Sequence, residues 1–244
     1  MIDVIRSEWT KIRSVRSTVW TLAITALLML GLCVLLTLSA RNQVDGAKTA
    51  LDAAALSLQG TQFAAVSLAT LGVLVISGEY RTGSIRTSLL AVPVRPKLLA
   101  AKVLVFTAIA LVVSMVSAFV TVVTGMTILN LGSLGDPGVL RMTYGTGLFL
   151  TACGLFGLAL GALIRHTPGA IVSAIALMTV LPQLTNAIPG HVGRFVHDNF
   201  TTNAGLTLIS SPDAGKAWGG YAVYLAWIAV TLVAGTVLLQ RRDA

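Results

Sequence analysis

Six long apolar stretches, each free of Asp, Glu, Lys, Arg and His, constrain this chain more than any other feature. They are Val19–Ser39, Gln62–Ser77, Val103–Leu129, Tyr144–Ile164, Gly169–Ile188 and Gly220–Leu239. The hydrocarbon core of a bilayer is about 30 Å thick, and a helix needs about 20 apolar residues to cross it. Lipid offers no hydrogen-bond partners, so only helices and closed barrels span it. Barrel strands alternate polar and apolar residues with a period of two, and these stretches do not. The sequence therefore predicts an all-α integral membrane protein with six transmembrane helices in one transmembrane domain over residues 1–244. The composition agrees, at 55 % hydrophobic and only 11 % charged. A soluble domain is about a quarter charged, and disorder needs low hydrophobicity, so both classes are excluded.

The chain carries a formal charge of +8. On a soluble protein such an excess would point to nucleic acid, but no motif for stacking or groove binding is present, and no nucleic-acid partner is expected. On a membrane protein it reports orientation, because basic residues accumulate in cytoplasmic connections. Arg6, Lys11, Arg13 and Arg16 precede the first stretch. Arg81, Arg86, Arg95, Lys97 and Lys102 join the second to the third, Arg165 joins the fourth to the fifth, and Arg241 and Arg242 follow the sixth. The opposite side holds only Arg41, Lys48, Arg141, Arg194 and Lys216. Both termini are thus expected in the cytoplasm, with the protein in the cytoplasmic membrane. Cys33 and Cys153 lie inside apolar runs and read as small buried hydrophobes.

Ile2, Ile5, Trp9, Ile12 and Val15 recur at helical spacing, with Arg6, Lys11, Arg13 and Arg16 largely off that stripe. The pattern predicts an amphipathic interfacial helix over residues 1–18. A signal peptide fits less well, because the apolar run that follows is about 21 residues, against the roughly 7–15 of a signal core. Val103–Leu129 exceeds one crossing and is expected to tilt or to end near Gly125. Gly154, Gly157 and Gly161 mark a face for close helix packing, read first as packing inside the monomer. In the fifth stretch Pro182 interrupts the run, followed by Gln183 and Asn186. A kink or re-entrant turn is expected there, with freed backbone groups buried in protein or facing a pathway. His191, His197 and Asp198 read as surface residues of a short external helix.

The connection Gly78–Lys102, GEYRTGSIRTSLLAVPVRPKLLAAK, is far longer than a tight turn requires. Thr82-Gly83-Ser84 signals a turn and helix cap. Ile85, Leu89 and Val92 give a short apolar stripe, Pro93 stops it, and Val94-Arg95 is held extended before Pro96. Two readings stand: a short stiff helix suited to docking on a soluble partner, or a lipid-facing loop whose charges set topology. No Walker A, G-x-S-x-G or H-E-x-x-H signature is present, and the apolar stretches offer no acid or base for proton relay. A chain of this kind is expected to draw its energy from another subunit.

In SEWTKIRSVRSTVW (Ser7–Trp20), the Gly78–Lys102 loop, GLFGLALGALIR (Gly154–Arg165) and LLQRRDA (Leu238–Ala244), the sequence resembles the membrane-spanning permease subunit of type-2 ABC exporters, particularly those of high-GC Gram-positive bacteria. The resemblance implies six spans, a connecting helix before the first, and a coupling helix between the second and third. That helix would dock on a separate ABC ATPase through Glu79, Tyr80, Arg81, Gly83, Ser84, Ile85, Arg86, Leu89, Pro93 and Arg95. It further implies a second permease subunit, identical or not, a pathway lined by the second and fifth spans, and no cofactor on this chain, since ATP and Mg would sit on the ATPase. The chain would then be no enzyme itself, but would export a small lipophilic or drug-like molecule. A sensor or immunity protein that partners an ATPase without net transport is the alternative. No substrate-binding residue is legible.

Overall fold

A computed structural model describes residues 2–41, 49–83, 95–211 and 213–241. Every regular element among them is helical. The order is α1 (Ile2–Ser14), α2 (Arg16–Arg41), α3 (Ala50–Ser57), α4 (Thr61–Thr82), α5 (Arg95–Leu129), α6 (Val139–Ile164), α7 (Thr167–Ile175), α8 (Leu181–Leu184), α9 (Gly190–Asn199), α10 (Thr201–Ser210) and α11 (Ala214–Arg241). Six segments are long and apolar enough to cross a membrane: Arg16–Arg41, Ala50–Arg81, Pro96–Leu129, Val139–Ile164, Thr167–Ala187 and Ala214–Leu238. The all-α membrane fold read from the sequence is the fold observed.

The helices run past the apolar stretches that announced them. Thr49 caps α3, accepting from the Asp52 N–H at 3.1 Å while Asp52 accepts from the Thr49 N–H at 3.0 Å. This capping box starts the second span at Ala50, well before Gln62. A 3-10 turn at Leu58–Gly60 joins α3 to α4. α5 does not end near Gly125; it continues unbroken to Leu129. Gly125 instead makes room for Ser57, whose Oγ lies 1.8 Å from where a Cβ would stand.

α6 is the axis of the bundle. Phe149, Leu150, Cys153, Leu158 and Ala159 on it are fully buried, and α4, α5, α7, α10 and α11 all pack against it. Lipid tails are as apolar as leucine, so helices in a membrane associate through close packing, which small residues permit. A Cβ on Gly157 would stand 2.0 Å from the Ala69 carbonyl oxygen, and one on Gly72 would stand 2.1 Å from that of Gly154. Gly161 meets Ile76 and Val73 in the same way, and Gly154 also meets the Phe106 ring. The glycine face read from the sequence thus packs α6 onto α4 and α5 within one monomer. Polar pairs add cross-links, with Thr25 Oγ1 2.8 Å from Ser67 Oγ, and Thr167 Oγ1 donating to Ser77 Oγ at 2.9 Å. α2 and α11 are mostly exposed.

Candidate functional site

Among the described residues two polar sites interrupt the apolar bundle, one at each end. The first lies where α1 meets the C-terminal end of α4 and the N-terminal end of α5. Glu8 on α1 is fully buried, and so, at 3 % side-chain exposure, is Lys102 on α5. Lys102 Nζ donates to Glu8 Oε2 at 2.5 Å and to Glu79 Oε1 at 2.9 Å. Lys11 Nζ, one helical turn beyond Glu8, donates to Glu8 Oε1 at 2.7 Å and to Glu79 Oε1 at 3.1 Å. Two carboxylates and two ammonium groups from three helices therefore form a closed knot of balanced charge. Burial acts to raise the Glu8 carboxyl, but the adjacent Lys102 and Lys11 charges and hydrogen bonds outweigh it and hold the group below 4.5. Burial likewise acts to lower Lys11, and the Glu8 and Glu79 carboxylates outweigh it and raise the ammonium above 10.5.

The knot is not wholly satisfied. Glu79 Oε2 is buried with no hydrogen-bond partner among the described residues. Glu79 also lines a cavity of about 410 Å³, together with Lys11, Thr18, Leu74, Arg81, Lys102 and Thr167. The Arg165 guanidinium lies over the Tyr80 ring, 5.3 Å from its centroid, in cation–π contact.

The knot corrects one reading of the sequence. The apolar stretches hold no ionisable group, but the helices that contain them hold Glu79 and Lys102 inside spans two and three. The signal was present at the edges. Glu79 follows Ser77 by two residues and Lys102 immediately precedes Val103, so antiparallel neighbours would bring them to one depth. Glu8, Lys11 and Lys102 were missed as a set because the reading of α1 attended to its apolar stripe and its basic residues and not to its one glutamate. In the structure Glu8 and Ile12 of α1 are buried against the bundle, while Trp9 and Val15 are exposed.

Of the residues ascribed to a coupling loop, Glu79 enters the knot and Tyr80 sits beneath Arg165. Arg81 is exposed on the last turn of α4, and Gly83, at φ +70°, ends that helix in the left-handed conformation. Arg95 opens α5. Ser84, Ile85, Arg86, Leu89 and Pro93 lie outside the described residues.

The second site is the break in span five. α7 passes into a π-helical turn at Ala176–Val180, then into α8 and a 3-10 turn at Thr185–Ala187. Pro182 has no N–H, and the Leu181 N–H reaches back to Ala176 rather than Leu177. The carbonyls of Leu177 and Met178 thereby lose their helical donors. Thr201 Oγ1 donates to the first and Thr202 Oγ1 to the second, each at 2.7 Å. The Pro182 carbonyl accepts from Thr185 Oγ1 at 2.6 Å, and His197 Nδ1 lies 2.8 Å from the same hydroxyl and 3.0 Å from Asn203 Nδ2. The expected kink is present and its freed carbonyls are met by protein. Pro182 is buried, whereas Gln183 and Asn186 are exposed.

The segment after the break differs from the short external helix expected. It forms two helices. His191 is exposed on α9 as read, but His197 is half-buried in the network, and α10 buries Thr201, Thr202, Ala204, Gly205 and Leu208. Sequence reasoning missed Thr201, Thr202 and Asn203; their signal is a run of short hydroxyl and amide side chains shortly after the Pro182 break.

The match to known proteins falls across the first site and stops within the second. The family model for ABC-2 family transporter proteins matches residues 4–183. The chain belongs to that family. The matched residues include the whole ionic knot and end inside α8, so the ABC-2 part of the chain holds four of the six candidate spans whole and most of the fifth. A search of curated proteins finds no match. As an ABC-2 protein the chain is a multi-pass membrane transport component.

Proposed function

We propose that this ABC-2 protein is the permease subunit of an ATP-driven exporter, moving a small lipophilic or drug-like molecule across the cytoplasmic membrane. A separate ABC ATPase binds ATP and Mg and docks at residues 84–94, and a second permease subunit completes the pathway. Both termini are cytoplasmic. The observation that carries this reading is the knot. α4 and α5 flank the 84–94 connection, and Glu8, Lys11, Glu79 and Lys102 tie both of them to α1. A displacement of the connection reaches three helices at once, because breaking any one contact strands a buried charge. Closure of the ATPases then shifts the population from inward-open to outward-open, the tied helices moving as a body.

The test is co-expression with a candidate ABC ATPase from the same organism. Arg86→Glu is expected to abolish co-purification of the two subunits. Glu79→Ala is expected to leave the complex assembled but to uncouple ATP turnover from substrate. Assembly and coupled turnover unchanged in both variants would refute the coupling assignment. ATP-dependent uptake into inverted vesicles separates an exporter from a sensor or immunity protein. For topology, cysteines replacing Ser88 and the exposed Ser210 should label from opposite sides of the membrane; Thr201 is unsuitable because it is fully buried.

A further inference from the structure

The cavity of about 410 Å³ keeps one uncompensated charge and one open hydroxyl. Lys11 and Lys102 on its wall are paired with Glu8 and Glu79, and Glu79 Oε2 is sealed in protein. The knot therefore presents no free charge to an incoming molecule. Arg81 also lines the cavity, is exposed, and has no ion-pair partner among the described residues. Thr18 lines it too and is only 5 % exposed. Its N–H donates to the Val15 carbonyl at 3.0 Å, but its hydroxyl has no hydrogen-bond partner among the described residues. Buried polar groups are almost always paired. Thr18 Oγ1 is not one of the sealed, unpaired oxygens of the bundle, so the little surface it keeps faces the cavity that the residue lines. Ser17, exposed, stands beside it on the same wall. Both lie in the first turn of α2, where a helix presents the positive end of its dipole. A cation, two hydroxyls and a helix N-terminus converge on a space whose apolar walls include Leu71, Leu74 and Val75.

We propose that this cavity seats the phosphate of an anionic phospholipid. The Thr18 and Ser17 hydroxyls donate to the phosphate oxygens, and the Arg81 guanidinium, a fork that matches phosphate, balances the charge. The acyl chains leave along Leu74 and Val15, which are both exposed, into the bilayer. Trp9 on α1 and Trp20 on α2 are exposed on the two helices that meet at the cavity. Tryptophan concentrates at headgroup depth, so the phosphate within reach is that of a lipid. A zwitterionic headgroup would bring a second cation beside Arg81, and an anionic one does not. The inference goes beyond the transport reading, since it concerns a resident lipid whatever the chain moves.

The experiment is native mass spectrometry of the full chain in detergent, titrated with phosphatidylglycerol and phosphatidylcholine of identical acyl chains. Glycerol 3-phosphate serves as the soluble anion. The wild type is expected to bind phosphatidylglycerol at least about tenfold more tightly than phosphatidylcholine, the size of one hydrogen bond to a charged group. Glycerol 3-phosphate at equal concentration should not displace it. Arg81→Gln should bring phosphatidylglycerol down to the phosphatidylcholine level. Thr18→Val keeps the shape without the hydroxyl and should weaken phosphatidylglycerol about tenfold, whereas Thr18→Ser should restore it. Equal binding of the two lipids by the wild type overturns the proposal. So does wild-type affinity for phosphatidylglycerol in Arg81→Gln or in a folded Thr18→Val. Displacement by glycerol 3-phosphate also overturns it, because it marks a soluble-anion site. If Thr18→Val does not fold, Arg81→Gln decides, since that residue is exposed. The titration uses this chain alone, so its outcome is separate from any failure of an ATPase to co-purify.

Discussion

The two ends of the bundle solve the same problem with different chemistry. Polar groups buried away from water must find partners. At the α1 end the partners are full charges, Glu8, Lys11, Glu79 and Lys102, drawn from three helices. At the other end they are hydroxyls and amides, Thr185, Thr201, Thr202 and Asn203, set against backbone carbonyls. Removing one member of an ionic knot strands an uncompensated charge, whereas removing a hydroxyl strands only a carbonyl. The first arrangement fixes its helices as a unit. The second lets a broken helix bend, since a neutral donor can be exchanged for another at small cost. Thr201, a β-branched residue held at φ +28°, adds local strain to the second end.

That contrast is open to test, the most damaging substitution first. Lys102→Ala should lower stability by about 3–5 kcal/mol, the loss typical of breaking a buried ion pair from one side. Chemical unfolding in mixed micelles measures it. The double variant Glu8→Leu, Lys102→Met should recover most of that loss, because neither charge is then left alone. No recovery would mean that the knot is held by something other than charge pairing. At the opposite end Thr202→Val removes the donor to the Met178 carbonyl and should lose only about 1 kcal/mol. It should speed amide hydrogen exchange in Ala176–Val180 while leaving α1 unaffected. A Thr202→Val loss as large as that of Lys102→Ala would erase the difference between the two ends.

The smallest effect is that of pH. Glu8 is held below its ordinary value, so its share of stability is full above about pH 4.5 and is lost as pH falls through the depressed value. Lys11 is raised, so its share is full below about pH 10.5 and is lost as pH climbs through the raised value. Thermal unfolding across this range should show a plateau between the two limits. In Glu8→Gln the acid-side decline should shrink.

Much of the architecture could be read from residue order. Apolar stretches long enough to cross lipid predicted six spans, because an uncovered backbone cannot exist in hydrocarbon except as helix. The glycines of Gly154–Gly161 announced a close contact, and Pro182 announced a break, since each is a local consequence of a missing Cβ or a missing N–H. The helix ends were less legible. Capping by Thr49 and Asp52 extended the second span by a full α3, and Gly125 relieved a neighbour instead of stopping its own helix. The inward turn of Glu8 on α1 was not legible, because a single acid among basic residues carries no pattern that names its partner.

Residue order by itself thus determined how often the chain crosses and where it bends, both being properties of single segments in a solvent that gives no hydrogen bonds. The meeting of Glu8 with Lys102, 94 residues apart, was decided only by tertiary structure. So was the capping of span five by Thr201 and Thr202. The reason is that a charge or a carbonyl inside the bundle is satisfied by whichever helix packs beside it, and that neighbour is chosen by the fit of surfaces such as Gly72 against Gly154.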